Sequence, residues 1–155
     1  MPERVLLLGL GNDILRDDGV GLAAARRVAE LAPQADFREE CSPTIDLLPV
    51  ISEYDRVVVV DAYLSPDLPP GTAVHASPDD LPTGFGYRSF HFFPFREMVR
   101  LGKELGMPMP ERIAIHGLCV GDPFTFGDTF TVPVARAWPA WAERIARTEF
   151  PERVA

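Results

Sequence analysis

The sequence predicts a single-domain α/β protein, a three-layer sandwich with a mostly parallel, twisted sheet of about five strands and helices on both faces. Short β-branched or aliphatic segments alternate with helix-like ones along the chain, the order that produces parallel strands joined by crossover helices. The clearest strand-like run, "RVVVVDAY", is apolar without alternation from its first valine until its aspartate, as expected of a strand covered on both faces. Neither an internal repeat nor a low-complexity tract divides the 155 residues, so one domain spanning 1–155 is expected.

Each element has its own warrant. Val5-Leu8, Asp36-Glu39, Val57-Val60 and Ile113-Leu118 have the character of buried strands. Thr72-His75 follows a proline-rich turn at Ser65-Gly71 and is placed at a sheet edge. Val20-Leu31 is alanine-rich with apolar residues at helical spacing, and Ile45-Ser52 reads as a short helix despite Pro49. Phe95-Leu105 repeats apolar residues at Phe95, Met98, Val99, Leu101 and Leu105. Pro133-Thr148 closes the chain as a helix whose Trp138 and Trp141 are expected to pack it onto the sheet. Ser77-Phe93, with Gly84, Gly86 and a run of aromatics, has no clear periodicity; its part around Phe85-Phe95 is a candidate docking surface.

Composition narrows the function classes. With 15 Lys plus Arg against 23 Asp plus Glu, the net charge of -8 repels polyanions, so neither nucleic acid nor an anionic membrane surface is an expected partner. No long apolar run and no basic leader ahead of Leu6 is seen, and neither a transmembrane helix nor a signal peptide is expected. Cys41 and Cys119 are too few and too far apart for a disulfide scaffold or a zinc ribbon, which fits a reducing, cytoplasmic setting.

The stretch "LLLGLGNDILRDDGVGLAAARRV" raises the functional question. An apolar strand runs through Gly9 and Gly11 into a helix, as in a nucleotide-binding fold, but Ile14 stands where a third glycine is needed. Asp17 and Asp18 front the helix start, where carboxylates oppose a phosphate, and no Walker lysine exists. One of the pair is expected to cap free N–H groups at the helix start. The other is paired with Asp61, which ends the strand in "RVVVVDAY". In an open parallel sheet both loops reach the crevice beyond the carboxyl ends of the strands. Two carboxylates there favour a cation between them. The nitrogen ligand is one of three histidines, His75 on the edge strand, His91 before a helix or His116 near the end of a core strand. Gly9 and Gly11 make the tight turn that brings Asn12 and the aspartates to the crevice; Asn12 is expected to bond the loop backbone.

"LGLGNDILRDDGVG", then a hydrophobic strand ending "VVDA", then a histidine opening a helix resembles the hydrogenase maturation endopeptidases, the nickel-dependent peptidases that trim the large subunit of nickel-iron hydrogenases. The likeness covers nearly the whole chain in order and spacing. The resemblance implies that Asp18, Asp61 and His91 contact the metal and carry catalysis. It also implies that the nickel is carried by the substrate, a hydrogenase large-subunit precursor from which a C-terminal extension is removed. Two carboxylates and one imidazole leave coordination positions open for a metal held chiefly by another protein. With no Ser-His-Asp or Cys-His constellation, direct attack by water is the simpler route. A monomer is expected, since the crevice must admit a folded partner.

This chain departs from the family pattern in places. Glutamate is common where Asp18 stands, and the usually glycine-rich loop after the second strand reads Cys41-Ser42-Pro43-Thr44. Asp122-Pro123 and "FTVPV" match the family's last loop only in part, and His116 and Cys119 are unusual, a possible soft ligand pair or simply core. The altered Cys41-Pro43 loop keeps a second reading open, a non-catalytic metal- or partner-binding protein on the same scaffold. A nucleotide-binding module is the third.

Overall fold

Val5–Leu10 forms β1, Val20–Leu31 α1, Asp36–Glu40 β2, Leu48–Ile51 α2, Arg56–Tyr63 β3, Ala73–Ala76 β4, Phe92–Glu104 α3, Arg112–Cys119 β5 and Val132–Glu149 α4. The computed structural model describes residues 2–41, 44–78 and 92–152. The sheet order is β2-β1-β3-β5-β4. β2, β1, β3 and β5 are mutually parallel, and β4 runs antiparallel to β5 at the edge. The predicted three-layer sandwich is therefore the observed one.

The physical cause is clearest at β3, whose eight residues are all buried. Its alternate side chains feed two separate cores. Val58 and Val60 pack with Val20, Ala24 and Val28 of α1 and with Trp141, Ala142 and Ile145 of α4. Val57 and Val59 face the other way, against Leu48 and Ile51 of α2 and Met98 and Val99 of α3. One strand thus needs a helix layer on each side, and β-branched residues suit that doubly covered position. β2 closes one edge, with the charged sequence "DFREE" almost wholly exposed, a composition that blunts strand-to-strand association.

Some boundaries differ from expectation. β1 and β3 run on to Leu10 and Tyr63, so Asp61 sits within β3 rather than ending it. The expected helix over Ile45-Ser52 divides into a 3-10 turn, Ile45–Leu47, and the single turn of α2. Pro49 lies in that first turn, where its missing N–H goes unneeded. α3 starts at Phe92, ahead of the predicted Phe95. Trp141 is buried in the α1/α4 core, and Trp138 packs at its border, edge-on to Phe130 at 6.2 Å. Most of Ser77-Phe93, and with it most of the candidate docking surface, lies outside the described residues.

Candidate active site

β1 leads into a loop that folds back on itself, and one glycine permits it. Gly11 has φ +153°, and a Cβ there would lie 2.3 Å from the carbonyl oxygen of Asp18. Only hydrogen fits. The loop is closed by the Asn12 backbone N–H, which donates to Asp18 Oδ2 at 2.9 Å, and by the Asp18 N–H, which donates to the Leu15 carbonyl at 2.8 Å. The Asn12 side-chain oxygen accepts from Ile14 N–H at 3.2 Å, the loop-bonding role expected of it.

Asp17 and Asp18 have different environments. Asp17 is fully buried. Its Oδ2 accepts from the N–H groups of Gly121 and Asp122 at 2.9 and 3.0 Å and from the Thr131 hydroxyl at 2.6 Å, while Oδ1 accepts from Thr131 N–H at 2.7 Å. The expectation that one aspartate caps the helix it precedes is corrected here. α1 has Gly19 at its N-cap and receives no side-chain capping bond. Asp17 instead satisfies amides of the loop after β5 and of Thr131, the residue that opens α4. The physical reason is that a carboxylate shut away from water needs several donors, and this loop supplies four.

Asp18 is buried as well, and the register brings it toward Asp61. Gly9 of β1 pairs with Val60 of β3, which sets Leu10 level with Asp61. Gly21, in the first turn of α1, seats the helix directly on that junction. A Cβ on it would lie 2.4 Å from the Leu10 carbonyl oxygen and 2.9 Å from Asp61 Cα. α1 therefore carries Asp18, three residues earlier, to the carboxyl end of the β1/β3 pair. Asp61 is fully buried, and its Oδ1 accepts from Ala62 N–H at 2.7 Å. Its side chain falls on the same side of β3 as Val59 and Tyr63, the α2/α3 face.

The strand order gives this place its meaning. From β1 the chain passes outward to β2, whereas β3 continues the sheet on the other side. The β1/β3 junction is a topological switch point, where loops from neighbouring strands diverge and leave a crevice. Asp18 and Asp61 flank it. His91, one residue ahead of α3, lies outside the described residues. Two buried carboxylates at a crevice are hard oxygen donors that could hold a divalent cation.

His116 and Cys119 do not form a ligand pair. They occupy opposite faces of β5, since Cys119 packs in the α2/α3 core while Leu118, on the other alternation, packs in the α1/α4 core. Burial pushes the Cys119 thiol above its usual pKa, which opposes the thiolate a metal needs. Cys41 is exposed, and both cysteines are free thiols. His116 belongs to a network that sequence reasoning missed. Its Nε2 lies 2.7 Å from Glu149 Oε1, its ring stacks on His75 at 4.2 Å, and Arg56 bonds the other oxygen of Glu149 at 2.7 Å.

Comparison with known proteins places this geometry. The family model for hydrogenase maturation protease matches residues 42–148. The hydrogenase expression/formation protein HupD of Rhizobium leguminosarum bv. viciae is 30% identical over 149 residues, covering 93% of this chain and 73% of that protein. HupD of Rhodobacter capsulatus is 31% identical over 121 residues, and there the match takes in 75% of this chain but 57% of the relative. Among solved structures, the [NiFe] hydrogenase maturation protease HybD from Thermococcus kodakarensis superposes with a TM-score of 0.72 at 27% identity, covering 94% of this chain and 98% of that one. The hydrogenase maturating endopeptidase HybD from E. coli shares the fold at a TM-score of 0.73 and 20% identity, with 94% and 93% covered. No helix among the described residues is long and apolar enough to cross a membrane. With the sequence match spanning both the strand that carries Asp61 and the terminal helix, and the fold match spanning the switch point, the chain belongs to the hydrogenase maturation protease family.

Proposed function

We propose that this protein is an endopeptidase that removes a C-terminal extension from a nickel-loaded hydrogenase large-subunit precursor, with Asp18, Asp61 and His91 recognising the nickel carried by that substrate. The observation that supports it most is the pair of buried carboxylates flanking the β1/β3 switch point. Side chains held by the last residues of a strand and by the 3-10 turn that leads into a helix are rigidly placed, so a metal seated in a partner protein meets a prepared site. Two carboxylates and one imidazole leave positions for the ligands the precursor already supplies.

In this reading, water attacks the scissile carbonyl carbon while a carboxylate of the site takes its proton. The carbon–nitrogen bond then breaks and the proton passes to the leaving amine. No covalent enzyme intermediate is needed. The reading carries with it a reducing, cytoplasmic setting, a single protein substrate and a monomeric enzyme.

The test uses Asp61→Asn and His91→Ala, each checked for folding by circular dichroism and thermal melting. Both are expected to stay folded and to lose processing of the precursor. A folded variant that trims at the wild-type rate would remove that residue from the site. A folded wild-type protein that holds the precursor without cutting it would instead support the non-catalytic binding reading.

A further inference from the structure

We infer that His75, His116 and Glu149 form a second, independent site for a divalent transition-metal ion such as Zn²⁺, on the opposite face of the sheet from Asp61. The three side chains come from β4, β5 and α4. His75 and His116 are register partners across the antiparallel edge. Their rings stack at 4.2 Å with 16° between planes. Both Nε2 atoms are turned toward one oxygen, Glu149 Oε1, at 3.5 Å from His75 and 2.7 Å from His116. The potential ligand atoms of the three residues all lie within 4.8 Å of one another. Ligands about 2.0–2.2 Å from a tetrahedral zinc are separated by a little over 3 Å, so small side-chain rotations suffice.

Three further observations favour an ion over a mere hydrogen-bonded cluster. Only the His116 contact is at hydrogen-bond distance; His75 shares the target oxygen without a bonding geometry of its own. Arg56 holds Glu149 from behind, its Nη1 donating to Oε2 at 2.7 Å and its Nη2 to the backbone carbonyl at 3.0 Å, which leaves Oε1 presented to the imidazoles. Such an outer partner fixes a ligating carboxylate in orientation. Beyond the histidines lies a cavity of about 170 Å³ lined also by Trp141, Arg144, Ile145 and Thr148. It has room for water in the open coordination positions. His75 is half-exposed and gives entry from solvent, and the Arg144 side chain on the cavity rim is exposed rather than buried against the donors.

The donor set, two imidazoles and one carboxylate, suits zinc and neighbouring divalent ions better than magnesium or calcium. The face is settled by alternation. His116 pairs with Val60, which packs under α1 and α4, whereas Asp61 follows on the other face. The inference does not rest on the endopeptidase reading.

The experiment titrates Zn²⁺ calorimetrically into metal-free Asp61→Asn, in which the crevice lacks one of its carboxylates, and into the double variant Asp61→Asn/His75→Ala. His75 is exposed enough that its truncation spares the fold, and a thermal melt without metal checks this. Asp61→Asn is expected to bind one equivalent, with Co²⁺ giving visible ligand-field bands. The double variant is expected to bind at least about tenfold more weakly and to lose those bands. An Asp61→Asn protein that takes up no stoichiometric zinc overturns the inference, and so does a double variant that binds zinc as tightly as the single one.

Discussion

Asp17 and Thr131 are joined twice across a separation of 114 residues, Oδ1 accepting from the Thr131 backbone N–H at 2.7 Å and Oδ2 from its hydroxyl at 2.6 Å. This buried knot ties the loop that carries Asp18 to the start of the last helix. The adjacent aspartates have thus divided their work. Asp17 holds the loop in place, and the crevice role proposed above falls to Asp18.

Asp17→Ala is therefore expected to destabilise the protein severely, because it leaves four donors of a buried loop without an acceptor. A loss on the order of 3–5 kcal/mol is expected from leaving several buried donors unsatisfied at once. Asp17→Asn also destabilises, since its NH2 group must face donors. Asp18→Ala also loses the bond from Asn12 N–H and is expected to abolish processing. Urea denaturation of the three variants checks this; an Asp17→Ala protein within about 1 kcal/mol of wild type contradicts the assignment.

Gly21 predicts a second effect. A methyl group there meets the Leu10 carbonyl oxygen at 2.4 Å and Asp61 Cα at 2.9 Å, so α1 must lift from the β1/β3 junction. Gly21→Ala should cost on the order of 3 kcal/mol and reduce processing in whatever protein remains folded. Gly106 supplies the comparison. Its φ is +73° with nothing within 4 Å of a built Cβ, so Gly106→Ala carries backbone strain alone, ~1–2 kcal/mol, and should leave processing untouched. Equal losses in both variants would contradict the close-approach argument.

The His75–His116–Glu149–Arg56 network predicts acid sensitivity without metal. Burial and the charge of His116 hold the His75 pKa below its ordinary 6.5, against the pull of Glu149. For Glu149, burial acts upward, but the hydrogen bond from His116 and the charges of His116, Arg56 and His75 outweigh it and hold the group below 4.5. In both cases the unfolded chain binds protons more readily than the folded one. The stability contributed by His75 is complete above about pH 6.5 and is lost as pH falls toward its folded-state pKa; that of Glu149 is complete above about pH 4.5 and is lost below it. Denaturation at a series of pH values should show a shallower acid decline in His75→Ala than in wild type between about pH 6.5 and 5. An identical slope would contradict the coupling.

Much of this fold was legible along the chain, and the exceptions have physical causes. The run Val57-Val60 identifies β3 because four β-branched residues in sequence suit only a strand covered on both sides. α1 was expected over Val20-Leu31 and is found there, its alanine-rich face matching a close seat on the sheet. The place of Asp61 near the carboxyl end of β3 was legible because the apolar run Val57-Val60 breaks at that aspartate. Asp17 was not, because its donors lie 104 to 114 residues away and a helix-start aspartate has a simpler local explanation. Nor was the pairing of His75 with His116, which depends on the antiparallel register of a four-residue edge strand. Glu149, at the very end of α4, carries no local mark of its distant partners.

The central claim, that the switch-point carboxylates serve an endopeptidase acting on a nickel-loaded precursor, is tested most directly by intact mass. The source organism's hydrogenase large-subunit precursor, nickel-loaded and nickel-free, is weighed before and after incubation with this protein. Loss of one discrete C-terminal peptide from the loaded sample alone is the predicted result. A loaded precursor that keeps its full mass beside folded wild-type protein would contradict the account.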